Sequence, residues 1–314
     1  MIGVLLMAYG TPRSLDEVEA YFTHIRRGRK PTKEEVEELT ERYQAIGGVS
    51  PLYQITESQA KALQEVLDRR APGRFRVYLA MKHSPPFIAE VVAEMLRNGV
   101  REMVALVLAP HESRMIIDDY LRYAREVLEA HPEVKAHVIR SWHLNPLYLS
   151  ALARRIEREL AALPRPGADQ TVVLFTAHSL PEGILARQDP YPTRLEETAR
   201  ALAERQALCH WRRAYQSAGK TALPWLGPDL LEVLEEVKAE GHSQVLVAPI
   251  GFVADHLEVL YDIDIEARAK ARQLGLVLRR TASLNTDPEL VEGLAEEVLQ
   301  RERPHARSDS GSLG

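Results

Sequence analysis

Cysteine is almost absent from this chain: Cys209 is the only one in 314 residues. One chain can therefore hold no internal disulfide and no all-cysteine zinc or iron–sulfur centre. A reducing cytoplasm is the expected home. Long hydrophobic runs are missing too. No apolar stretch approaches the ~20 residues of a membrane span, and Met1 to Leu6 has no basic lead-in, so it reads as a first strand and not as a targeting signal. No transmembrane segment is expected. A marked excess of basic charge is likewise lacking, since the formal net charge is -5 and aromatics are only 6% of the residues. That balance argues against the basic, aromatic-rich face of a dedicated nucleic-acid binder, so no nucleic-acid partner is expected. What is present is ordinary for a globular protein, with 45% apolar and 27% charged residues. At this length a single core usually stops growing, so two domains are expected.

Apolar runs of strand length alternate with helical patterns, the signature of parallel sheets wrapped by helices in an α/β fold. Strands are expected near 2–9, 74–81, 102–110, 134–141, 171–177, 210–216, 243–250 and 275–282, four in each half. The expected domains are 1–143 and 144–303, the second closed by a helix from about Asp287 to Arg301. The Ser-, Gly- and Arg-rich stretch 304–314 is expected to be a disordered tail. Ser14-Leu15-Asp16-Glu17 and Thr32-Lys33-Glu34-Glu35 both fit a capping box, in which hydroxyl and carboxylate satisfy orphan backbone N–H groups. The halves also resemble each other. Val4 to Pro12 aligns without a gap on Val173 to Pro181, and Val107-Leu108-Ala109-Pro110 echoes Leu246-Val247-Ala248-Pro249, each after a helix closed by glycine, Gly99 or Gly241. This duplication puts Tyr9 and His178 in equivalent places at the carboxyl ends of first strands, where open α/β sheets bind ligands.

Three clusters could carry chemistry, and each has an ordinary explanation beside it. His178 ends an apolar strand, and an imidazole there can bind a metal or take a proton near neutral pH; equally, it could only cap a loop. Glu258, Asp262 and Glu266 are spaced by four, so a helix would stack three carboxylates on one face. They could form an ion path, or a solvated face in which Glu258 serves an Asp255 N-cap and Glu266 pairs with Lys270. The basic run His24 to Pro31, with Arg42 and Tyr43 further on, could grip carboxylates or phosphates. Cations complementing a helix dipole would look the same.

Taken together, Leu6 to Pro12, His24 to Pro31, Arg42-Tyr43 with Ala45 to Gly48, Ser50-Pro51-Leu52, Leu108 to His111, Ala177 to Pro181, Trp225 to Asp229 and Gly251 to Asp262 resemble the ferrochelatase family, in its short soluble Gram-positive form. The resemblance spans nearly the whole chain. It implies two Rossmann-like, chelatase-like domains with a porphyrin cleft between them, and insertion of Fe2+ into a porphyrin in haem biosynthesis. His178 and Glu258 match the catalytic pair. Asp262 and Glu266 match an acidic line leading outward, so all four are the expected metal-binding residues. Tyr9 matches a tyrosine facing the iron, and Arg26, Arg42, Tyr43, Ser50 and Tyr120 match positions that hold the porphyrin. Tyr120 is aligned only through its Tyr-x-x-x-Ala spacing.

The chemistry requires a base for two pyrrole protons, a landing point for iron and a clamp on the macrocycle. Neutral His178 with ionised Glu258 is expected to meet the first two needs. Four propionates suit the Arg26, Arg27 and Arg42 group, so coproporphyrin III is favoured over protoporphyrin IX. No cofactor is required; Fe2+ is a substrate, and Mg2+ is a candidate for the outer acidic site. A monomer is expected. The alternatives are a cobalt or nickel chelatase of another tetrapyrrole and a non-catalytic haem carrier.

Overall fold

The computed structural model describes residues 1–164 and 171–301, so the expected tail, 304–314, lies outside the described residues. The chain forms two compact units: Met1–Trp142 with the segment from Asn285 onward, and His143–Leu284. The first changeover falls one residue before the expected boundary at 143/144.

Unit 1 holds β1 (Ile2–Ala8), α1 (Val18–Ile25), α2 (Lys33–Ala45), α3 (Leu52–Arg70), β2 (Phe75–Met81), α4 (Ile88–Arg97), β3 (Glu102–Val107), α5 (Arg114–Leu128) and β4 (Lys135–Ile139). Its strands are all parallel, in the order β2-β1-β3-β4. Every residue of β1 is buried, because helices cover both faces of a central parallel strand; hence its unbroken apolar run. Leu5 and Met7 pack with Met95, Met103, Ile117 and Leu121 from neighbouring strands and from α4 and α5. Each such side chain contributes roughly 1.5–3 kcal/mol of burial.

Unit 2 holds α6 (Pro146–Ala161), β5 (Thr171–His178), α7 (Tyr191–Arg205), β6 (Trp211–Gln216), α8 (Leu230–Ala239), β7 (Gln244–Ala248), a π-helical segment (Val259–Ala267), α9 (Arg268–Leu274) and β8 (Val277–Arg280). Its order, β6-β5-β7-β8, again all parallel, repeats that of unit 1. Tyr9 directly follows β1 and His178 ends β5, so the two do occupy equivalent places, at the point in each sheet where strand order reverses. The echo extends to the turns. Gly99 and Gly241 take φ of 78° and 90°, and the next N–H of each, Val100 to Met95 O at 3.0 Å and His242 to Val237 O at 3.2 Å, closes α4 and α8 in the same left-handed cap.

Two expectations are corrected. Thr32 and Glu35 form the capping box, but Ser14 makes no side-chain cap. Leu15–Glu17 winds as a 3-10 turn instead, and the Glu17 carboxylate accepts from Arg13 N at 2.8 Å. The closing helix, α10 (Pro288–Arg301), belongs to unit 1 and not to the second domain. It is held beside α3 by Arg69–Glu292 at 2.9 Å and by Gln59 Nε2 donating to Asn285 O at 2.7 Å. Its apolar face of Leu290, Leu294 and Val298 is buried.

Candidate functional site

In unit 2 the site is assembled by strand ends. Gly251, just beyond β7, lies so close to β5 that a Cβ there would come within 2.6 Å of the Ala177 Cβ. That close approach brings the Gly251 to Glu258 loop alongside His178. His178 Nε2 stands 3.3 Å from Glu258 Oε1, with the two side chains about 31% and 29% exposed. Glu258 Oε2 lies 3.4 Å from His256 Nε2. His178 Nδ1 faces the Ser179 carbonyl, so both of its ring nitrogens meet oxygens, and opposite an ionised Glu258 the doubly protonated imidazolium satisfies both contacts. Burial opposes that charge, but the Glu258 carboxylate, its hydrogen bond and the Ser179 carbonyl overcome it and raise the pKa to about 9. Burial likewise opposes ionisation of Glu258, yet His178 and His256 hold its pKa well below the usual carboxylate range. The resting pair is thus imidazolium and carboxylate. The expectation of a neutral His178 is corrected, because the pairing with Glu258 outweighs desolvation.

The carboxylate ladder is divided by its surroundings. Asp262 is buried and accepts from Ser217 Oγ. Glu266 is exposed. Neither ordinary explanation describes them: Asp255 accepts from Arg280 and Ser283, Glu258 faces two imidazoles, and Lys270 pairs with Glu235. Among the described residues no three His, Cys, Asp or Glu side chains gather as a metal centre. Of the four expected metal residues, His178 and Glu258 are in direct contact, Asp262 is buried and its charge acts on His178, and Glu266 is exposed. A regular α-helix was assumed for the ladder; the segment is π-helical, a form found mainly as short interruptions and often at functional sites.

Several contributors escaped the sequence reading. Gln216 Nε2 donates to the Glu258 carbonyl at 2.9 Å, and Tyr191 Oη donates to the His178 carbonyl at 3.0 Å. The Trp225 ring is 6.5 Å from that of His178. Gln216 and Ser217 end β6, the neighbour of β5, so the rule that ligands bind beyond carboxyl ends of strands pointed at them.

Unit 1 holds the six expected porphyrin residues. Gly10 has φ +95°, and a Cβ there would lie 2.6 Å from Ser84 Oγ, which seats the His83 loop beside Tyr9. The Tyr9 ring is 41% exposed and tilts on His83 at 4.6 Å. His83 Nδ1 and His24 Nδ1 are 3.0 Å apart. Burial, then the Lys82 charge, press the His83 pKa down to about 3, so it is neutral. Lys82 itself pairs with Asp119 at 2.7 Å and lies 4.9 Å from the centre of the Tyr120 ring. Of the other five, Arg26 pairs with Glu35. Arg42 is half-buried. Tyr43, Ser50 and Tyr120 are buried; the Tyr43 hydroxyl is 3.4 Å from Thr11 Oγ1, and Ser50 Oγ accepts from Leu52 N at 3.2 Å. Only Tyr9 among the six presents an exposed ring. Beside them an open groove of about 950 Å³ is lined by His24, Arg27, Lys30, Arg122 and Tyr123 among others.

Comparison with known proteins decides the family, for the model of the Ferrochelatase family matches residues 1–302. The chain belongs to the ferrochelatase family. It is 47% identical over 290 residues to the ferrochelatase of Herpetosiphon aurantiacus, covering 92% of this chain and 95% of that protein. It is 43% identical over 301 residues to the coproporphyrin III ferrochelatase of Geobacillus kaustophilus, covering 95% of each. Among solved structures, SirB from Bacillus subtilis with Fe3+ superimposes with a TM-score of 0.58 at 12% identity, over 96% of each chain. That likeness establishes the shared two-sheet chelatase fold and nothing finer. No helix among the described residues is long and apolar enough to cross a membrane.

Proposed function

We propose that this family member inserts Fe2+ into a porphyrin, coproporphyrin III in preference to protoporphyrin IX, with His178 and Glu258 as the reacting pair. The observation that carries the assignment is the 3.3 Å contact between them, made at strand ends where the fold presents ligands. Insertion exchanges two pyrrole protons for one iron dication. At rest Glu258 is ionised, its second oxygen meeting only the longer 3.4 Å contact with His256, while His178 already holds its proton. The first pyrrole proton therefore goes to Glu258. His178 becomes a base or a ligand only after releasing its own proton to solvent, a step promoted by the arriving dication, which lowers the pKa of a neighbouring imidazolium. Tyr9, exposed at the equivalent strand end of unit 1, carries an oxygen suited to binding a metal. Such a ligand is hard and exchangeable, as release of product requires.

Arg26 and Arg42 would receive propionates, with the Arg26 fork exchanging Glu35 for the substrate carboxylate. Glu266, exposed, would gather Fe2+ or Mg2+, and buried Asp262 would pass iron inward. No resident cofactor has a part in this scheme. Chelation of cobalt or nickel has only the shared fold behind it, at 11% identity to a cobalt-bound SirB, and a haem carrier has no use for Glu258 beside His178. The test is anaerobic Fe2+ mixed with free-base coproporphyrin or protoporphyrin, followed by absorption. Turnover beyond one equivalent is expected, faster at low porphyrin concentration with coproporphyrin. A single stoichiometric uptake would make the chain a carrier.

A further inference from the structure

We infer that Arg280 is a positioning residue for Glu258, holding the backbone on both sides of it from the end of β8. This rests on the assignment of Glu258 to the chemistry, made above. Arg280 Nε and Nη2 donate to the two oxygens of Asp264 at 3.0 and 2.7 Å, a bidentate fork. Its Nη1 reaches the other way, to Asp255 Oδ1 at 3.4 Å and to the carbonyl of Thr281 at 3.0 Å. Asp255 precedes Glu258 by three residues and Asp264 follows it by six, so one guanidinium ties down both flanks of the reacting carboxylate.

The two anchors are themselves braced. Ser283 Oγ donates to Asp255 at 2.8 Å, and Arg268 donates to Asp264 at 3.1 Å. The Arg280 side chain is only 12% exposed, so these contacts are shielded from solvent and from salt. Glu258 stands at the changeover into the π-helical segment Val259–Ala267, where the regular helical ladder is interrupted, so anchors on both of its flanks bear on its position. From the opposite side its carbonyl is held by Gln216. A misplacement of about 1 Å at a reacting group can cost a hundredfold in rate. Lysine could not substitute, since a single ammonium is a point charge without the planar fork that spans two carboxylates.

A control stands next to it in the chain. Arg279 is also ion-paired, to Glu159 at 2.6 Å, but strand alternation turns it to α6 and away from Glu258. The experiment compares Arg280→Lys, Asp264→Asn and Arg279→Ala in the full chain. It measures kcat and KM for porphyrin at saturating Fe2+, melting temperature, and the imidazole NMR signal of His178. Arg280→Lys should lower kcat roughly ten- to a hundredfold, leave KM for porphyrin within about twofold, and move the His178 signal toward its position in Glu258→Gln. Asp264→Asn should do the same to a smaller degree. Arg279→Ala should lose comparable thermal stability with kcat and the His178 signal unchanged. If Arg280→Lys does not fold, Asp264→Asn carries the test alone. A kcat within twofold of the unmodified chain in both variants overturns the inference. If the unmodified chain inserts no iron, the functional assignment has failed, and the His178 signal alone decides whether Arg280 positions Glu258.

Discussion

Tyr9 and His178 stand at matching ends of matching sheets, yet their surroundings have opposite electrostatic character. Beside Tyr9 the nearest imidazole, His83, is neutral, its pKa pressed to about 3 by burial and by Lys82. At the other strand end His178 is charged, its pKa raised to about 9 because Glu258 outweighs the cost of burial. The difference arises in the segment after the third strand of each sheet. After β7 a tight loop and the π-helical segment deliver an ionised carboxylate to the strand end. After β3 the chain passes into α5, whose Asp119 is already occupied by Lys82 at 2.7 Å. A duplicated fold thus supplies two equivalent positions, while the connections decide that one is charged and the other neutral and aromatic.

The sharpest way to break this comparison is His178→Ala. It should lower iron insertion by at least about 10²-fold, the scale of a lost acid–base group, and leave porphyrin affinity, read by fluorescence titration, within roughly tenfold. Retained turnover would remove His178 from the chemistry and make the two strand ends alike.

The charge contrast has a pH signature. The folded pKa of His178 lies above its ordinary 6.5, so its contribution to stability is complete below about pH 6.5 and is lost as pH rises through about 9. The folded pKa of Glu258 lies below its ordinary 4.5, so its contribution is present above that pH and is lost on acidification. The melting temperature of the unmodified chain should therefore exceed that of Glu258→Gln most between about pH 5 and 6.5. The gap should close toward pH 9.5; a gap constant across this range would mean that the pair is not ionised as described.

Smaller effects belong to the neutral side. Arg26→Ala should raise KM for coproporphyrin by only several-fold, because a propionate replaces the existing Glu35 contact and gains only the difference between two charge-assisted bonds. KM for protoporphyrin should change less, and equal changes on both would reduce Arg26 to shaping the wall. Smallest of all, Glu266→Gln should raise KM for Fe2+ about twofold, the effect of one exposed carboxylate, with kcat unchanged. Initial rates against iron concentration decide, and a fall in kcat would bring Glu266 into the reacting group.

All eight strands were readable, the central β1, β3, β5 and β7 from their buried apolar runs and the edge strands from their place between helical patterns, and the Thr32 box because its partners are three residues apart. Ser14 showed the same pattern and failed, since the Glu17 carboxylate has a closer donor in Arg13 N. The placement of α10 was missed for a different reason. Adjacency in the chain assigned it to the second domain, whereas its apolar face and Glu292 match α3, more than two hundred residues earlier. The same distance hid much of the site. Motifs announced His178 and Glu258, but Gln216, Ser217 and Arg280 are polar residues at strand ends whose meaning appears only when register sets them beside one another. The ionisation of His178 was also beyond local pattern, because it depends on two acceptors meeting both ring nitrogens.

The return of α10 to unit 1 bears on how the chain is made. Chains leave the ribosome amino-terminus first and domains tend to fold as they emerge, yet unit 1 lacks α10, its partner for α3, until the whole of unit 2 has been synthesised. Unit 2, continuous from His143 to Leu284, needs no later segment to complete it. A chain cut after Leu284 would then hold every element of unit 2 but leave α3 of unit 1 without α10, and it is at that uncovered helix that a protease would find its substrate.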